Sequence, residues 1–313
     1  MTENKVQEPV TEAAYEKKPV VDVIKKRRFG DRRDGRRVRS LPPMAQLIPY
    51  IMKERSDAQN HISDTLDIDR VNEYINEKRR EGLSGFGFMH FMIATYIRTV
   101  ASYPALNRFV NGKKIYTRGD YVEVSLTIKR EMTLASPDTV VKITVRPDAT
   151  AEDVYRAMSE VVNGYRDVQD SGFDQTAKML NYIPGFIKSF AFASIRFLDY
   201  FGWLPRGLTR VSPFHSSMFI TSMGSLGIPA IYHHLYNLGN VPVFISFGVK
   251  RREAKLNRDG TVTEHSYVDV KIVTDERICD GYYFAAALKH MKKFVRDPWL
   301  LDTPPAEVKR DVD

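Results

Sequence analysis

Between Thr274 and Gly281 the chain reads Thr-Asp-Glu-Arg-Ile-Cys-Asp-Gly, which gathers Asp275, Glu276, Arg277, Asp280 and the sole cysteine, Cys279, at one place. The residues before it alternate, with Val268, Val270 and Ile272 apolar and Asp269 and Lys271 polar, so a strand is expected to run into this stretch. Phe284, Leu288, Met291 and Val295 follow at spacings of four, three and four, the period of one helix face. A strand-to-helix corner that presents charged side chains and ends in Asp-Gly is a place where chemistry can be done. One cysteine among seven histidines offers no Cys-x-x-Cys or other ligand spacing, so no zinc or other metal site is expected. It also precludes an intramolecular disulfide framework and fits a reducing compartment, read here as the cytoplasm.

The elements that must hold this corner can be followed along the chain. At 313 residues it has room for one large domain or two small ones and for a sizeable core. No basic-then-apolar leader is visible, so no secretory signal is expected. The net charge of +8 is concentrated in residues 25–39, where nine Lys/Arg face two Asp, a local +7 that leaves +1 elsewhere. Residues 1–40 read as a mostly disordered tail, a solvating segment in one reading. In the other, its basic block tethers the protein to an acidic partner, anionic lipid or nucleic acid. The folded part is expected over 41–303, with a short tail at 304–313.

Within it, helices are predicted over 44–56, 68–80 (stopped by Gly82) and 86–103, and strands near 61–66, 122–128 and 141–145. His90, inside Phe-Met-His-Phe-Met, reads as a core residue. Thr150 and Asp153 look like a helix cap. Residues 183–204 are the most aromatic stretch. Lys188, Arg196 and Asp199 interrupt it, so it is not a membrane span. As a helix it sets Ile183, Phe186, Phe190, Phe197 and Phe201 near one face. That face either packs on the domain or a neighbouring subunit, the preferred reading, or lies in a membrane interface. Strands are predicted at 214–222, 241–249 and 266–274, the last two joined through Asn257-Arg258-Asp259-Gly260. A closing helix is expected over 281–296. His215, His265 and His290 read as surface residues.

Several stretches resemble, in order, the catalytic domain of dihydrolipoamide acyltransferases of 2-oxo acid dehydrogenase complexes and chloramphenicol acetyltransferases. They are Met44 to Arg80, Phe86–Asn107 with its Tyr-Pro-Ala-Leu-Asn end, the strands to 146, Phe219–Gly227 against the family's Thr-Ile-Ser-x-x-Gly strand end, and 241–303. The resemblance implies an α/β fold, an α+β two-layer sandwich with a mixed β-sheet and helices packed on one side, assembled as a homotrimer with active sites between subunits. It implies acyl-CoA or another acyl thioester as substrate and a thiol or hydroxyl acceptor. Thr221, or its neighbour Ser222, then matches the hydroxyl that stabilises the oxyanion, and Asp280 the structural aspartate of the Asp-Gly pair. No lipoyl domain or Asp-Lys-Ala motif is present, so no lipoyl group is expected on this chain.

The family's corner reads His-x-x-x-Asp-Gly; here Glu276 stands in place of the histidine. An ordinary Glu, near 4.3, is a weaker base than a His near 6.5. For a thiol acceptor the difference costs about 3 kcal/mol, on the order of a hundredfold in rate. Burial between subunits would recover part of it. A displaced imidazole from Tyr232-His233-His234 is the other route; His233 and His234 otherwise read as exposed or capping residues. Two functions stand: a CoA-dependent acyltransferase with an altered base, which the remaining strand-end hydroxyl and Asp-Gly favour, and a non-catalytic trimeric binding or scaffold protein of the same fold.

Overall fold

The computed structural model describes residues 28–129, 138–166 and 182–313. Its strands are β1 (Arg36–Arg37), β2 (Gln59–Asp67), β3 (Arg108–Asn111), β4 (Lys114–Thr117), β5 (Val122–Lys129), β6 (Asp138–Val145), β7 (Met218–Ser222), β8 (Val243–Leu256) and β9 (Val262–Asp275). The helices are α1 (Pro43–Ile51), α2 (Asp69–Arg80), α3 (Phe88–Ser102), α4 (Ala151–Arg166), α5 (Gly185–Tyr200), α6 (Arg206–Val211) and α7 (Gly281–Arg296).

Six strands form a mixed sheet in the order β2-β9-β8-β7-β5-β6. The β5/β7 and β7/β8 pairs are parallel and the others antiparallel. Because side chains alternate along a strand, one face carries Val124, Leu126, Ile143, Ile220, Ile245, Val270 and Ile272, all in the main core. Helices α2, α3, α4 and α7 contribute much of the rest of that core. α3 is buried on nearly every side, His90 included, as its apolar run implies. The opposite face holds a smaller cluster of Phe219, Leu235, Val241, Phe244 and Val273. The expected two-layer arrangement, with helices on one side, is what the chain adopts.

Several boundaries shift for local reasons. α1 ends at Ile51 because Met52 turns extended, and Arg55, further on, is drawn into a buried ionic cluster. β8 runs seven residues past its predicted end. That extension is a largely exposed two-stranded arm with β9, charged on both sides, so no apolar alternation marks it.

The larger correction concerns the segment read as tail. Residues 28–40 are packed on the domain, not free. Gly35 lies so close to Phe109 that a Cβ there would sit 2.7 Å from the ring. Arg32 is buried and donates to Asp34 Oδ1 at 2.8 Å and to Asp199 Oδ1 at 2.9 Å. Arg39 pairs with Asp31, and Arg28 and Arg36 both reach Asp313. The C-terminal stretch is likewise docked, through an Arg108–Asp311 pair at 2.6 Å. These arginines are therefore largely occupied within the chain; the earlier part of the basic block, 25–27, lies outside the described residues.

The buried Asp199 has a measurable consequence. Burial opposes its ionisation, but the His215 imidazole, 3.4 Å away, and the Arg32 guanidinium outweigh it and hold the carboxyl well below its usual range. Asp34 is burdened by burial in the same way and lowered chiefly by Arg32. A carboxyl that titrates lower in the folded state stabilises it above the unfolded value, near 4, and ceases to as the pH falls through the folded value. The urea midpoint is thus expected to fall on acidification from about pH 5 to about pH 3, and the fall to be smaller in Asp199→Asn.

Candidate active site

β9 delivers the corner by driving Asp275 into the protein. Asp275 is fully buried and takes two 2.8 Å bonds from Arg277, from Nε and Nη2, while Arg55 Nε lies 3.4 Å away. Arg277 and Arg55 also donate to backbone carbonyls of Met52, Val110 and Gly239. This ionic knot fixes the backbone at Glu276, whose own N–H donates to Ala58 at 2.8 Å. The Glu276 side chain is left exposed at a cleft of about 360 Å³ between the β2/β9 edge and the start of α7. Asp280 caps α7 by accepting from the Tyr283 N–H at 2.7 Å.

The cleft also holds His61 and Cys279. His61 has no place among the sequence-derived candidates. It sits opposite Val273 in the β2/β9 register, and only that pairing brings it to the corner. Cys279 is half-buried, and burial pushes its thiol up to about 12, against the lowering pull of the Arg108 guanidinium and with the neighbouring Asp280, Asp275 and Asp311 adding to the rise. It should react little with iodoacetamide at pH 8 in the folded protein and readily once unfolded, as mass spectrometry of the alkylated chain will show.

Thr221 and Ser222 end β7, two strands from β9. Thr221 is buried, and its hydroxyl makes no hydrogen bond to any described residue. Ser222 Oγ accepts from the Ser225 N–H at 3.3 Å, so it is partly committed to the following turn. Thr221 is the better-placed free donor.

Register decides the relation between the two ends of the candidate site. Thr221 pairs with Ser246, and Ser246 with Lys271. Lys271 precedes Glu276 by five residues, about 17 Å of strand, with two further strand spacings of about 5 Å each lying crosswise. Because β9 runs antiparallel to β7, Thr221 and Glu276 lie at opposite ends of the sheet. One copy of the chain does not bring them together.

His233 and His234 divide. His233 is half-buried and stacks on Phe244 at 4.5 Å, on the face of the sheet that carries Thr221. Burial, then the charge of His234, lowers its pKa, and its buried Nε2 has no hydrogen-bond partner among the described residues. It is thus neither exposed nor a cap. His234 is exposed, edge-on to Tyr236. Of the three histidines read as surface residues, His265 and His290 are partly exposed and His215 is not at the surface. His215 is buried beside Asp199, with Nδ1 2.8 Å from Ser212 Oγ. His265 binds Asp69 at 2.8 Å, and half-buried His290 packs on Tyr103 and Phe294. Among the described residues the one grouping of possible metal donors is Asp67, Asp69 and His265, and there Asp69 already accepts from His265 and the Ser266 N–H at the start of α2.

No family model matches the chain, and no curated protein does. Solved structures do. A probable dihydrolipoamide acetyltransferase from Listeria monocytogenes 4b F2365 aligns at a TM-score of 0.50 with 15% identity, over 82% of this chain and 94% of that one. The Azotobacter vinelandii dihydrolipoamide acetyltransferase aligns at 0.50 with 10% identity, over 85% and 94%. The fold is that of a dihydrolipoamide acetyltransferase. Chloramphenicol acetyltransferase also aligns, at a TM-score of 0.47 with 9% identity, over 79% of this chain and 92% of that one. At such identities the acetyltransferase likeness establishes architecture alone. α5 has one fully buried residue, Asp199, and a half-buried side at Ala191, Ile195 and Leu198, while its phenylalanine stripe is exposed in the single chain. Among the described residues no helix is long and apolar enough to cross a membrane.

Proposed function

We propose that the protein is a CoA-dependent acyltransferase whose site is assembled between copies in a homotrimer, Glu276 of one protomer facing Thr221 of the next. The observation that carries this is the separation of the two residues to opposite ends of one sheet, combined with a Thr221 hydroxyl that has no hydrogen-bond partner among the described residues. In the A. vinelandii enzyme a serine, a histidine and an asparagine four positions after it have been probed for roles in catalysis; Glu276 and Asp280 stand at the same spacing here.

In this reading Glu276 takes the proton from a thiol or hydroxyl acceptor, whose sulfur or oxygen attacks the thioester carbonyl. The Thr221 hydroxyl donates to the oxyanion. Collapse expels the CoA thiolate, which recovers the proton from Glu276. Acyl-CoA is a substrate here, and no lipoyl group on this chain takes part. His61, at the same cleft as Glu276, stands with His233 and His234 as a candidate assisting imidazole.

Release of CoA thiol from a panel of acyl-CoAs, with thiol and alcohol acceptors, tests the proposal. Glu276→Gln is expected to lower turnover at least about a hundredfold, and His233→Ala to leave it near wild type. Loss with His61→Ala but not with Glu276→Gln moves the base to His61. The exposure of Glu276 in the single chain supports a second reading, a non-catalytic oligomer of the same fold. CoA binding without turnover across the whole panel would establish that one.

A further inference from the structure

Among the described residues, eleven of the 27 exposed large apolar side chains lie between Tyr182 and Val211. Phe186 and Phe190 are 76% and 74% exposed, and Phe197, Phe201 and Trp203 between 47% and 60%. At 3.6 residues per turn, Phe186, Phe190, Phe197 and Phe201 form one stripe, and Trp203 extends it by stacking on Phe201 at 4.9 Å. Asp199 is the one fully buried residue of α5, and the aromatic side of its first turns faces outwards, Phe186 and Phe190 pointing away from the half-buried Ala191, Ile195 and Leu198. Apolar surface of this size in one place calls for a partner.

Charge says which kind. The exposed ionic side chains of 182–211 include Arg196 and Arg210; the sole acid, Asp199, is buried against Arg32. Next to α5 the β3–β4 turn approaches Tyr200 at Gly112, and its Lys113 lies over the Tyr50 ring at 5.4 Å. Tyr50 belongs to the exposed apolar side of α1, with Met44, Leu47 and Ile51. Two apolar helical faces thus adjoin, interleaved with cations. Pairing this face with itself in a second copy would set arginine against arginine. An anionic bilayer instead receives the aromatic rings at the headgroup level and pairs its phosphates with the cations.

We infer that this surface docks in the plane of an anionic lipid bilayer, α5 lying along the interface. The inference is independent of the acyl-transfer reading. Co-sedimentation of the full chain with vesicles of phosphatidylcholine, alone or equimolar with phosphatidylglycerol, tests it. Binding is expected to the anionic vesicles only, to weaken with salt, and to let brominated acyl chains quench Trp203. Phe186→Ser with Phe190→Ser should weaken binding on the order of a hundredfold, and Arg196→Gln with Arg210→Gln roughly tenfold or more. Circular dichroism and melting should stay unchanged in the phenylalanine variant, whose altered residues touch no core. Wild-type protein remaining in the supernatant at low ionic strength overturns the inference. So does a phenylalanine variant that loses oligomeric order while retaining vesicle binding, because the face would then be an interface between copies.

Discussion

Asp275→Ala is expected to lower the free energy of unfolding by about 3–5 kcal/mol, a large share of the stability of a domain this size. The carboxylate is fully buried and is the acid on which both Arg277 and Arg55 converge. Removing it leaves two guanidinium groups in the interior with carbonyl partners but no counter-charge, the situation in which a lost ion-pair partner costs most. Urea unfolding should show a lower midpoint with an unchanged slope. The adjacent Glu276→Ala, at an exposed side chain, should stay within about 0.5 kcal/mol of wild type. Comparable losses from the two substitutions would mean that Asp275 is not the anchor of the corner.

The second large effect separates a shared site from one confined to a protomer. Thr221→Val should lower turnover by about a hundredfold or more through loss of the oxyanion donor, and Glu276→Gln should do the same through loss of the base. Mixed and reassembled, the two inactive proteins are expected to recover activity. A protomer with its Glu276 intact can sit beside one with its Thr221 intact, which rebuilds about a quarter of the sites if a closed ring forms at random from equal amounts. Activity that stays at the single-variant level after confirmed subunit exchange would place both residues' work within one copy, against the register of β7, β8 and β9.

Much of the fold was legible because the elements obey simple periods. The four–three–four spacing after Asp280 predicted α7 to its observed ends, Gly281 and Arg296. Thr150 and Asp153 cap α4 reciprocally, with 2.8 and 3.2 Å bonds, as their spacing implies. The segment at 28–40 was not legible. Its composition is that of a solvated tail, and nothing local shows that Arg32 will meet Asp199, 167 positions away. The same holds at the site. Glu276 and Asp280 stand in a readable corner, whereas His61 reaches it through a strand pairing across more than 200 residues, and the separation of Thr221 from Glu276 emerges only from strand order.

The docking of residues 28–40 bears on how the protein is made. Arg36 finds its carboxylate 277 positions further along, and Arg28 shares that same acid. While the ribosome is still extending the chain, these arginines emerge early and have no native counter-charge to meet, so the segment must wait, solvated, as the sheet condenses. Its closure is then a late event that follows the addition of Asp313, and the apolar ring of Phe109 beneath Gly35 remains uncovered in the nascent protein until that closure occurs.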